Sequence, residues 1–222
     1  MSLKCVQCNS KFGLSPPKSN CKKCGGALEY EIDLSKTRRI KFSGQLRFWR
    51  YRPLLPRVQH AISLREGGTP LHKAERLAKS LGLKELYLKD ETRNPTNSYR
   101  DRAAALLTSN AIDRQCDTLI CATNGNLGAS LAAYSAKAGL LCHVIVPKLV
   151  DVGKLAQMLA YDAVIEEFGE ILDDSIRKAE VLSKETGWYQ ATSELNPFAI
   201  EAQKTISYEV HEQFGVPDWF IV

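Results

Sequence analysis

No run in this chain approaches the roughly 18 uninterrupted apolar residues that a membrane-spanning helix requires. A secretory leader is not expected either, since the first thirty residues carry Lys4, Lys11 and two cysteine pairs and no apolar run. The expectation is a cytoplasmic protein with no membrane association. Neither an internal repeat nor a low-complexity tract is found. The 222 residues, 44% hydrophobic and 25% charged, exclude disordered and collagenous classes and suit one large domain, alone or with a small module.

Acidic residues are scarce at one end only. Residues 1–60 hold 13 Lys/Arg against 3 Asp/Glu, whereas 61–222 hold 17 against 22. A basic segment of that size is able to meet nucleic acid. With no aromatic-interleaved RNA or DNA motif beside it, the plainer reading is a solvated surface that docks on the acidic remainder, and nucleic acid is not the expected partner.

Seven cysteines divide the same way. Cys5-x2-Cys8, a twelve-residue spacer and Cys21-x2-Cys24 form a four-thiolate pattern, in which two knuckles place four sulfurs around one structural zinc. A pair of disulfides is the alternative, which a reducing cytosol disfavours. Cys116, Cys121 and Cys142 lie in apolar runs and read as small core residues. The organisation expected is a zinc ribbon over 1–40, an arm and linker over 41–72, and an α/β domain over 73–222. In the arm, aromatics alternate with arginines from Phe48 to Arg52, rings buried and guanidinium groups hydrated.

From residue 84 the pattern becomes regular. Strands are expected at 84–91, 118–122, 140–146, 164–168, 189–192 and 219–222, with helices at 99–114, 127–137, 152–160, 171–185 and 198–214. Such β-α units imply a parallel sheet with helices on both faces. Ligands of such sheets bind beyond the carboxyl ends of the strands. After Ala122 the turn Thr123-Asn124-Gly125-Asn126 opens directly into a helix, a geometry that receives anions but also serves as an ordinary helix cap. The loop after Lys89, Asp90 through Arg102, is the second informative one.

Together these segments carry a resemblance. The cysteine pairs, Trp49-Arg50-Tyr51-Arg52, Glu66-Gly67-Gly68-Thr69-Pro70-Leu71, Lys89 through Arg102, Thr123 through Ser130, and Asn196-Pro197 with Glu201, Gln203, Lys204 and Thr205 occur in the order found in threonine synthases. Those are pyridoxal-phosphate enzymes of the tryptophan-synthase β type, or fold-type II. The resemblance implies a lyase of amino-acid biosynthesis acting on O-phospho-L-homoserine, with the cofactor held as an imine on a lysine. Asn126 would match the asparagine bonded to the cofactor's phenolic oxygen, and Ser98 a hydroxyl near the cofactor. Thr123, Asn124 and Gly125 would receive the substrate carboxylate.

Three departures stand beside these matches. Arg100 occupies the position of the imine-forming lysine, and a guanidinium offers no free amine. Asn97 replaces a glycine, and Ala199 stands near where threonine synthases present an arginine to substrate phosphate. The sequence also stops at Val222, where the family continues into a glycine-rich phosphate loop, so a C-terminal half or a second chain is an expected partner, and a homodimer another. These features leave several functions open: a threonine synthase-like enzyme, a silent paralogue binding an anion or a protein, a cysteate-synthase-like or threonine dehydratase-like enzyme, and a nucleic-acid-binding zinc ribbon.

Overall fold

The structure is a computed structural model and describes residues 2–14, 20–32, 35 and 40–222. Part of the expected cysteine spacer and the basic residues Lys18, Lys36, Arg38 and Arg39 lie outside the described residues. The N-terminal unit is an antiparallel sheet, order β2-β1-β3, made of β1 (Ser2–Cys5), β2 (Lys11–Phe12) and β3 (Leu28–Glu31). Alternation along these strands buries Leu3, Cys5, Leu28 and Tyr30 and turns their neighbours outward. Five buried residues make a core too small to hold such a unit without a staple. Tyr30 docks the unit on the main body, its ring edge-on to Phe198 and its N–H donating to Glu201 Oε1 at 3.3 Å.

A 3-10 helix, Phe48–Leu54, forms the arm. Phe48 and Tyr51 are sealed from solvent as expected. The guanidinium of Arg50 is not simply hydrated: it pairs with Glu212 at 2.7 Å, and Tyr51 donates its hydroxyl to the same carboxylate at 2.6 Å. The carboxylate lets this arginine leave water without an unpaired charge.

The main sheet is parallel, order β8-β7-β6-β9, with β6 (Thr118–Ala122), β7 (Leu141–Val146), β8 (Val164–Glu167) and β9 (Tyr189–Gln190). Around it stand α1 (Glu75–Ser80), α2 (Arg100–Asp113), α3 (Asn126–Ala138), α4 (Val152–Ala160), α5 (Leu172–Thr186), α6 (Phe198–Gln203) and α7 (Thr205–Gln213). Alternate strand residues feed opposite cores. Leu119, Cys121, Val144 and Val146 face α3, while Ile120, Ala122 and Ile145 pack with Ala179 of α5. Cys121 and Cys142 are buried core residues, and α2, buried from Asp101 to Ala111, packs between α3 and α6.

Three expectations change. Residues 87–89 form β5 (Tyr87–Lys89), which pairs antiparallel with β4 (Leu71–Lys73) in a separate hairpin and does not join the parallel sheet. The connection over 74–86, which carries α1, reverses the chain so that Leu71 faces Lys89. The expected helix over 198–214 is interrupted at Lys204, where the buried Thr205 hydroxyl donates back to Ala202 O at 2.7 Å and competes with the helical ladder. Trp219–Val222 form no strand, because a strand draws its stability from a ladder partner and this run has none among the described residues.

Candidate active-site cleft

Two loops meet at one rim of the molecule. The first, Asn94 to Tyr99, ends in α2 and turns at Asn97, which adopts φ 60°, a region that Asn tolerates better than most residues. Asp101 fixes the loop from inside: its carboxylate accepts the Thr96 N–H at 2.7 Å and the Thr96 hydroxyl at 2.6 Å. That hydroxyl also lies 2.9 Å from Ser130 Oγ on α3, and Lys154 of α4 donates its ammonium to the Thr96 carbonyl at 3.0 Å. Burial raises the Asp101 carboxyl above its usual range, an effect the Thr96 donors oppose.

The second loop, Thr123 to Gly125, joins β6 to α3. Thr123 Oγ1 accepts the Gly125 N–H at 3.0 Å. Gly125 has φ 146°, a conformation closed to side chains, and a Cβ there would come within 3.1 Å of the Lys154 stem. The loop therefore stays thin, and the first turn of α3 reaches the rim.

Between the loops lies a cleft of about 190 Å3. Tyr99 and Arg100 form one wall, Thr123 through Leu127 the other, with Ala122 at the base. Ser193, Glu194 and Leu172 close the third side. Arg100 donates Nη1 to Ser193 Oγ at 2.8 Å, and its guanidinium lies 4.9 Å from the centre of the Tyr99 ring. Of the residues singled out in the sequence, Arg100, Thr123, Asn124, Gly125 and Asn126 line this cleft. Ser98 does not; it is buried and its hydroxyl accepts the Arg100 N–H at 3.2 Å, capping the start of α2.

Tyr99, Ser193 and Glu194 were not among the expected site residues. The last two follow β9, and the rule that ligands gather beyond strand carboxyl ends applies to that loop as well. The Arg100 loop reaches the rim by another route. Its preceding strand belongs to the hairpin, and contact between α2 and α3 brings it to the rim.

A second constellation sits in the N-terminal unit. The sulfurs of Cys5, Cys8, Cys21 and Cys24 all lie within 4.8 Å of one another. Cys5 Sγ is 3.5 Å from Cys24 Sγ and Cys8 Sγ is 3.6 Å from Cys21 Sγ. Four thiolates tetrahedral about zinc, at bonds near 2.3 Å, would stand about 3.8 Å apart. The cluster has the donor set and the size for a metal ion.

Residues 62–222 match a family described as pyridoxal-phosphate dependent enzyme. The chain belongs to that family. It is 38% identical to a threonine synthase of Methanocaldococcus jannaschii over 100% of this chain and 57% of that protein. To a threonine synthase of Methanosarcina acetivorans it is 35% identical over 99% of this chain and 56% of that protein. The chain thus spans little more than half the length of these relatives. Among solved structures, a pyridoxal 5'-phosphate-dependent aspartate racemase matches with a TM-score of 0.61 at 27% identity, covering 66% of this chain and 46% of that one.

The family's cofactor is an aldehyde, and covalent attachment needs a primary amine. None of the residues lining the cleft is a lysine. The cation among them is Arg100, a group unable to form that imine. In this chain the described cleft does not fit a covalently held pyridoxal phosphate.

Proposed function

We propose that this chain is a threonine synthase-like member of the pyridoxal-phosphate family that forms no imine at position 100 and, as this chain alone, turns over no O-phospho-L-homoserine. The observation that supports this reading is the lining of the cleft, where Arg100 stands at the position the resemblance gives to the lysine and no lysine is present. By the resemblance, Asn126 would meet the cofactor and the Thr123–Gly125 turn the substrate carboxylate, and all four residues line the cleft. The cleft then binds an amino-acid-sized ligand without covalent chemistry. The reading also takes the cysteine cluster as one structural zinc with all four positions closed by protein, which leaves no open coordination for catalysis. It keeps the division into a ribbon over 1–40, an arm over 41–72 and an α/β domain over 73–222, and places the protein in the cytoplasm.

The test is direct. Incubation with pyridoxal phosphate, a visible spectrum, borohydride reduction and peptide mapping should show sparse labelling of surface lysines and no stoichiometric imine. A full-occupancy adduct together with phosphate release from O-phospho-L-homoserine would overturn the proposal. Because the chain spans 56% and 57% of the two threonine synthases named above, the assay is repeated with any companion chain that co-purifies. Turnover appearing only in that complex would assign the activity to an assembly.

A further inference from the structure

We propose that Arg100 makes the cleft a reversible receptor for a small oxyanion, the phosphate or carboxylate terminus of an amino-acid-sized molecule. The inference rests on the reading of position 100 given above and supplies the class of its ligand. Arg100 is half-buried at the start of α2. A guanidinium carries five N–H donors in one plane. One is spent on the Ser193 hydroxyl, and the Tyr99 ring meets a face of the plane without consuming any. No described carboxylate forms an ion pair with Arg100, Glu194 of the same cleft included.

Arg102, two residues further along the same helix, has the opposite setting. Its side chain is fully buried, and Glu91 and Glu209 close on it at 2.8 and 2.6 Å. There the fold supplies the counter-charges itself. Arg100 has lost part of its water without gaining one, a costly state for a charge. An oxyanion seated in the cleft would supply the missing counter-charge through two parallel N–H bonds, the geometry in which arginine binds phosphate and carboxylate most strongly. Tyr99 against one face and Ser193 at one edge hold the plane in advance, so little side-chain freedom remains to be lost on binding.

The full chain, free of pyridoxal phosphate, is titrated calorimetrically at fixed ionic strength with inorganic phosphate, O-phospho-L-serine and malonate. Saturable binding of at least one probe is expected, and the three together separate phosphate from carboxylate recognition. Arg100→Met should weaken it by about tenfold or more. Arg100→Lys should retain part of the affinity, because it keeps the charge and loses the fork. A measurement that needs no variant runs beside it: phenylglyoxal modification mapped by mass spectrometry, with saturating phosphate slowing the reaction at Arg100 but not at exposed Arg177. Equal affinity in wild type and Arg100→Met would place any anion on the end of α3 alone and overturn the inference, as would unprotected Arg100 or no saturable binding by any probe. A stoichiometric imine with pyridoxal phosphate would bring down the underlying reading, whereas absence of both imine and anion binding removes this inference only.

Discussion

Arg102 of α2 and Glu209 of α7, 107 positions apart in the chain, meet at 2.6 Å with both side chains sealed from solvent. Glu209 also accepts Lys89 at 2.7 Å, so hairpin, α2 and α7 are joined at one carboxylate. Arg102 and Lys89 hold the Glu209 carboxyl down, to about 2, against the opposing effect of burial. Glu209→Gln leaves buried Arg102 with Glu91 as its one carboxylate and takes the counter-charge from Lys89, and should cost about 3–5 kcal/mol in urea unfolding at neutral pH. Because the folded value lies below the ordinary 4.5, this contribution is complete above that pH and is lost as pH falls toward about 2. The gap between wild type and Glu209→Gln should therefore narrow between pH 5 and 2. Parallel pH profiles would refute the assignment.

Two glycines in the same backbone region make a second comparison. Gly68 has φ 65°, and a Cβ there would stand 1.9 Å from the Leu46 carbonyl oxygen, where the arm crosses the turn into the hairpin. Gly139 caps α3 with φ 71° and nothing within 4 Å of its missing Cβ. Gly139→Ala should cost about 1–2 kcal/mol for the left-handed conformation alone. Gly68→Ala should cost clearly more, since the arm backbone must move. Thermal midpoints of the two variants decide it, and equal shifts would mean the arm yields freely.

Metal analysis should give about one zinc per chain, lost on chelation. Chelation should also raise hydrogen exchange in β1 and β3, because the five-residue core of that unit cannot hold it without the metal. Stoichiometric metal persisting in a Cys5→Ser/Cys21→Ser chain would exclude this cluster as the site.

Much of this arrangement was legible from residue patterns. The strand at 118–122 and the helix at 152–160 lie where periodicity put them, because continuous apolar strands and a 3.6-residue period are local signals. The hairpin of β4 with β5 was not legible, since Leu86-Tyr87-Leu88 marks a strand but not its partner, and β4, with only Leu71 apolar among its three residues, carries no strand signal of its own. In the site, the Thr123–Asn126 turn could be read from its glycine and its helix start. Ser193 could not, because a lone serine in a loop acquires meaning only through the Arg100 plane it touches. Ser98 comes from the resemblance alone, as a hydroxyl near the cofactor, and a motif match does not say which way a side chain faces: its hydroxyl accepts the Arg100 N–H at the start of α2.

Asp101 is the hinge between that loop and the cleft, and it gives a prediction opposite in sign to Glu209. Its fully buried carboxylate holds Thr96 through two hydrogen bonds, and Arg100 is the adjacent residue. Asp101→Ala leaves the Thr96 N–H and hydroxyl without that acceptor and should cost about 1–3 kcal/mol per buried group left unpaired. Asp101→Asn keeps the shape and one acceptor oxygen, and should cost less. Burial raises the Asp101 carboxyl above its ordinary 3.8, so the folded chain takes up its proton before the unfolded chain does. Wild type should accordingly gain stability relative to Asp101→Asn as pH falls through that raised value toward 3.8, whereas its margin over Glu209→Gln shrinks in acid. Denaturant titrations of the three chains across pH 7 to 3 test both signs at once. If the loop sets the Arg100 plane, phosphate affinity should fall further in Asp101→Ala than in Asp101→Asn; equal affinities would show that Tyr99 and Ser193 orient the guanidinium without help from the loop.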